Sequence, residues 1–161
     1  VDGRPPDPER PVRLLGIDLG DRRIGLASGD TESGVARGLP TVPRGSDASD
    51  LRRLERLVAE RGIESLVLGL PRNTDGSEGA QAVATRAWAM SVLVPLGIPF
   101  VYRDERYTSQ AAEAGLGRAP RGPSGGPPSP AARERRRRSV DREAARLILQ
   151  AELDARHEVP A

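Results

Sequence analysis

Three carboxylates stand where carboxylates are costly, and together they define one kind of chemistry. Asp18 lies inside Leu14-Leu15-Gly16-Ile17-Asp18-Leu19-Gly20, an apolar run in which strand propensity disfavours Asp. A buried carboxylate costs several kcal/mol, to order of magnitude, unless it is paired or bound to a cation. Glu105 follows the strand-like Pro99-Phe100-Val101-Tyr102, and functional groups of open α/β sheets gather at carboxyl ends of strands. Asp141 sits at the edge of a helical stripe of Val140, Ala144, Leu147, Ile148 and Ala151, at about 100° per residue. Each has an ordinary alternative: Asp18 as the end of its strand, Glu105 in a solvated charge cluster, Asp141 in a first helical turn favoured by the dipole. Converging on one rim they would repel and force protonation. Mg²⁺ or Mn²⁺, which prefer oxygen ligands, removes that conflict. Two such ions about 4 Å apart activate water and stabilise the leaving oxygen of a phosphodiester.

Composition closes the other routes. The 161 residues contain no cysteine and one histidine, His157, so Cys-type zinc sites, disulfides and His-dependent triads are excluded or improbable. Apolar residues make up 37% and aromatics 2%, which suits a modest single domain with a core of Leu, Val, Ile and Ala. No apolar run has the length of a membrane span and no secretory apolar region appears, so no membrane association and a cytoplasmic location are expected. Every basic side chain is Arg, which a GC-rich genome explains as well as function does. The net charge of +2 matters less than its distribution.

The elements that must position these groups read as β-β-β-α-β-α-β-α-α. Strands are expected over 12–19, 24–28, 34–42, 65–70 and 98–102, and helices over 46–61, 78–94, 108–116 and from about 139 to 155, with Pro130 as an earlier possible start. Residues 1–11 and 156–161 read as tails around a domain over 12–155, and 117–138 as a flexible Gly/Pro/Arg-rich loop. A hairpin opening followed by βα alternation predicts a mixed sheet of five strands with helices on both faces.

The densest positive run is Arg133 with Arg135, Arg136, Arg137 and Arg138. Phosphate-backbone contact is one reading, a solvated charge run the other. Asn73 and Asp75, in the loop after 65–70, are placed to touch substrate or metal, although Asp75-Gly76 is also an ordinary turn pair. Trp88 and Met90 read as packing residues.

Four segments carry a resemblance to a known family. They are Gly16-Ile17-Asp18-Leu19-Gly20 with Arg23-Ile24-Gly25; Gly69-Leu70-Pro71 through Asp75-Gly76-Ser77-Glu78; Asp104-Glu105-Arg106-Tyr107-Thr108-Ser109; and Asp141-Arg142-Glu143-Ala144-Ala145 leading into Ile148-Leu149-Gln150. In this order and spacing the chain resembles the YqgF family, the RuvC-like Holliday junction resolvases also described as pre-16S rRNA nucleases. Tyr107 stands where the family commonly has Leu. The resemblance implies an RNase H-like fold and a metal-dependent endonuclease in pre-16S rRNA processing or junction resolution. It also implies that Asp18, Glu105 and Asp141 are the acidic catalytic and metal-binding positions. The expected partner is structured RNA, including pre-rRNA, or branched DNA, with the chain a monomer or homodimer. Arg23, Asn73, Arg106, Arg135, Arg136, Arg137 and Arg138 are the candidates for contacting it.

Two rival readings follow from the same residues. Actin-like sugar kinases also open on a Gly-Ile-Asp-Leu-Gly strand and hairpin, but require two such domains where this chain has length for one. A non-catalytic RNA-binding module would keep the fold and the arginines and use the acidic residues only structurally.

Overall fold

The structure, a computed structural model, describes residues 7, 9–105, 108–118 and 121–158. The chain orders as β1 (Arg13–Leu19), β2 (Arg23–Asp30), β3 (Arg37–Pro43), α1 (Asp47–Arg61), β4 (Ser65–Leu70), α2 (Ala80–Trp88), β5 (Phe100–Asp104), α3 (Thr108–Leu116) and α4 (Pro130–Glu158). The five strands form one sheet in the order β3-β2-β1-β4-β5. β1 is antiparallel to β2 and β2 to β3, whereas β1–β4 and β4–β5 are parallel, so the expected mixed sheet is found.

Strand alternation sorts the apolar residues onto two faces. Leu15, Ile17, Ile24, Leu26, Leu66 and Leu68 pack with Leu54 of α1, with Trp88 at the end of α2 and with Val92 and Leu93 just after it. Leu14, Ala27 and Val67 face the other way and pack against Ala145, Ile148, Leu149 and Leu153 of α4. Each fully buried Leu, Ile or Val contributes roughly 1.5–3 kcal/mol, enough to fix the sheet between its helices. Trp88 is a packing residue as expected, with its indole N–H donating to the buried carboxylate of Asp50 at 3.1 Å. Met90 is not; its side chain is 63% exposed. It lies on the π-helical turn Ala89–Leu93, which with the 3₁₀ turn Val94–Leu96 replaces the last part of the expected 78–94 helix. Pro95 offers no N–H to an α-helical ladder there.

The largest departure from the sequence expectation is α4. It starts at Pro130 and runs to Glu158, so residues 130–138 belong to a helix rather than to the loop expected over 117–138, and residues 156–158 do not belong to a tail. The local chemistry accounts for the start: the Ser129 hydroxyl accepts from the Ala132 N–H at 3.1 Å, and Pro occupies the first helical position, where no N–H is needed. The arginines that follow have good helix propensity. The buried stripe is also rotated: Ala145, Ile148 and Leu149 face the sheet, while Ala151 is exposed. Asp141 therefore continues the buried stripe (i, i+4, i+7, i+8) instead of lying on its edge, and it stands three turns into the helix, beyond the reach of the N-terminal dipole.

Glycine in the sheet lets α4 sit this close. A Cβ on Gly16 would stand 2.7 Å from Leu149 Cβ, and one on Gly25 would stand 2.3 Å from the Asp141 carbonyl oxygen. Both edges of the sheet then hold the helix. Gln150 bonds the Gly34 carbonyl and the Ala36 N–H, and Arg103 of β5 pairs with Glu152 at 2.8 Å.

Candidate active site

Asp18 is the sixth residue of β1 and lies directly across from Gly25 of β2. Because Gly25 carries no side chain, α4 settles on it and brings Asp141 beside Asp18. Glu105 immediately follows β5, and its N–H donates to the Leu70 carbonyl at the end of β4, turning its carboxyl back over Gly69. The three carboxylates line one cavity of about 350 Å³ at the carboxyl rim of β1 and β4, together with Asp21, Arg44, Arg72, Gln81 and Thr85. Of the sequence-derived candidates, these three are the ones the fold gathers. Replacing Gly25 with Ala is expected to force α4 off the sheet, costing about 1–3 kcal/mol and most of the catalytic activity. Thermal unfolding and a cleavage assay measure both, and an unchanged melting temperature would show that the helix has room to spare.

The carboxyl groups of the cavity are strongly perturbed. Burial is the main reason the Asp18 carboxyl is pushed up to about 6, with the charge of Asp141 adding and a hydrogen bond from Glu105 opposing. Glu105 is pushed up to about 9, first by burial, then by the charge of Asp18 and the hydrogen bond between them, then by Asp104. At neutral pH the two therefore share a proton, with Glu105 donating to Asp18. Asp141 is held differently. Arg23 donates its Nε–H to Asp141 Oδ2 at 2.7 Å and its Nη1–H to Glu134 at 2.8 Å.

Among the described residues, no three acidic or histidine side chains are already drawn tightly enough to hold a metal ion. The donor set nevertheless fits a hard divalent cation. All its groups are carboxylate oxygens. Two of them share a proton, and the third is paired with Arg23. An ion would displace the shared proton, and Asp141 would exchange its guanidinium partner for the metal.

The proposed nucleic-acid residues separate. Arg23 serves Asp141 and Glu134. Asn73 closes its own loop, bonding the Ser77 hydroxyl at 2.9 Å and, through its backbone N–H, the Ser77 carbonyl. Asp75 accepts from Ser77 in the same turn. Arg136 donates to the Leu116 and Gly117 carbonyls at the end of α3, a capping role. Arg137 lies outside both cavities near the site. Arg106 falls outside the described residues. Sequence reasoning missed Arg44 and Arg72, which reach the carboxylate cavity, and Arg22 and Arg142, which line a neighbouring cleft with Arg135 and Arg138. Arg72 was signalled only by its place just beyond the end of β4.

Comparison with known proteins gives several likenesses over most of the chain. The family described as "RuvX: Holliday junction resolvase" matches residues 12–155. A protein of Moorella thermoacetica named "Putative pre-16S rRNA nuclease" is 41% identical over 143 residues, covering 89% of this chain and 95% of its own length. One of the same name from Thermosynechococcus vestitus is 40% identical over 145 residues, covering 90% and 89%. Among solved structures, Thermus thermophilus RuvC in complex with a Holliday junction superposes with a TM-score of 0.51 at 19% identity, covering 91% of this chain and 96% of that one. The fowlpox virus resolvase bound to junction DNA gives 0.51 at 9% identity, covering 89% and 98%. These likenesses establish the RNase H-like fold.

Proposed function

This chain belongs to the RuvX family of Holliday junction resolvases, and from that premise we propose that it is a divalent-metal-dependent endonuclease that hydrolyses phosphodiester bonds in pre-16S rRNA. The observation that carries this reading is the convergence of Asp18, Glu105 and Asp141 on one rim cavity, with burial and mutual repulsion holding Asp18 and Glu105 in want of a cation. Mg²⁺ or Mn²⁺ bound there supplies an activated water and neutralises charge on the leaving oxygen. Asp18 and Glu105, fixed at the ends of neighbouring strands, give the site its rigid half. Asp141, delivered by α4 and oriented by Arg23, would provide the other half of the ligand set. Arg44 and Arg72 lie on the same cavity, where their guanidiniums orient the scissile phosphate. RNA is favoured over a DNA junction because relatives near 40% identity bear the rRNA name, whereas the junction-bound structures are far more distant.

A location in the cytoplasm fits this role, and among the described residues no helix is long and apolar enough to cross a membrane. The test is cleavage of a pre-16S 5′-leader RNA and of a four-way DNA junction with Mn²⁺, Mg²⁺ or EDTA. Metal-dependent cutting of the RNA is the expected result. Preference for the junction would favour resolution as the activity, and binding without cutting would favour a non-catalytic RNA-binding module.

A further inference from the structure

Beside the carboxylate cavity, on the β3 side of α4, runs a second and larger cleft of about 680 Å³. Five arginines line it: Arg22 and Arg23 from the β1–β2 turn and the start of β2, and Arg135, Arg138 and Arg142 from α4. Arg135, Arg138 and Arg142 follow the i, i+3, i+7 spacing that puts side chains on one helix face. Arg136 and Arg137 point away from it for the same reason. The one carboxylate on the cleft, Glu134, is paired with Arg23 at 2.8 Å and lies farther, at 3.7 Å, from Arg138. Arg22, Arg135 and Arg142 are exposed and form no salt bridge among the described residues. Holding five arginines on one wall against a single lining carboxylate is unfavourable in the free protein, and an anionic ligand relieves it.

We propose that this arginine cleft is the track for the phosphodiester backbone of a single polynucleotide strand leading into the carboxylate site. The inference deepens the nuclease reading and rests on it. Arg23 ties the two cavities together, since the same guanidinium lines the cleft and holds Asp141. The other lining groups are Pro40, Thr41, Pro43 and Ser139, and among the described residues the cleft has no aromatic ring on which a base could stack. Recognition is therefore by phosphate and indifferent to base, unlike the aromatic platforms of dedicated single-strand binders. It also divides the arginine run of α4 by function: Arg135 and Arg138 contact the strand, Arg136 caps α3, and Arg137 does neither.

The test is fluorescence anisotropy with labelled oligouridylate and oligoadenylate of equal length, in EDTA so that binding is read without turnover, across a series of KCl concentrations. Joint replacement Arg22→Gln, Arg135→Gln and Arg138→Gln is expected to weaken binding on the order of 100-fold and to reduce the salt slope by about 2. Arg137→Gln is expected to match wild type, and the two homopolymers to bind alike. A triple variant with wild-type affinity and slope would overturn the cleft while leaving the nuclease reading standing. A strong preference for one homopolymer would overturn backbone recognition. Failure of the wild-type protein to bind either oligonucleotide at low salt would likewise overturn the cleft, whereas the metal-dependent cleavage assay tests the nuclease reading separately. All three positions are exposed, so circular dichroism is expected to show an unchanged fold.

Discussion

Asp18→Asn is expected to lower metal-dependent cleavage about a thousandfold, the loss of roughly 4 kcal/mol of transition-state stabilisation, while making the metal-free protein more stable. The two effects have one cause. Asp18 is half-buried beside two other acidic groups, a placement that costs folding energy and that a bound cation would offset. Asparagine keeps the shape and an oxygen that still accepts from Glu105, but carries no charge to bury. The gain expected is about 2 kcal/mol, seen as a rise of roughly 5 °C in the melting temperature in EDTA. A variant that melts lower would mean that Asp18 serves the turn at Gly20, and one that cuts at the wild-type rate would move the site elsewhere.

The second large effect is a reversal of pH dependence by metal. The Asp18 carboxyl is raised from 3.8 to about 6 and Glu105 from 4.5 to about 9. Since both are raised, the folded chain holds these protons more tightly than the unfolded one. Their contribution to stability is complete below about pH 4 and is lost as pH climbs through 6 towards 9. In EDTA the melting temperature is expected to fall by roughly 5–10 °C over that window. Saturating Mn²⁺ replaces the shared proton and removes the decline. Calorimetric affinity for Mn²⁺ should accordingly rise about tenfold per pH unit between 6 and 9, where binding releases one proton. An affinity flat in pH would mean that the ion does not meet the Asp18–Glu105 pair.

The strands and the mixed character of the sheet were legible because the period-2 and short apolar runs of Leu14–Ile17, Ile24–Ala27 and Leu66–Leu68 leave little choice of face. Asp18 and Glu105 announced themselves by interrupting or ending such runs. Asp141 was harder. Its apparent place in a first helical turn depended on starting α4 near Ser139 rather than at Pro130, the earlier of the two starts the sequence offers and the one the structure takes. With the start misplaced, the buried stripe was also read one residue out of phase. Two further features depend on tertiary contact and leave no local trace. Gly25 looks like any strand glycine until α4 is laid on it. Arg22 and Arg142, far apart in sequence, become neighbours only across the β2–α4 packing.

The central claim is that Asp18, Glu105 and Asp141 close on a shared divalent ion, and a crystal structure grown with Mn²⁺ and read by anomalous scattering addresses it most directly. The account predicts manganese bonded to oxygens of all three residues, with Asp141 turned from Arg23 towards the metal and the Asp18–Glu105 hydrogen bond gone. Manganese bound elsewhere, with that hydrogen bond and the Arg23–Asp141 ion pair still intact, would contradict it.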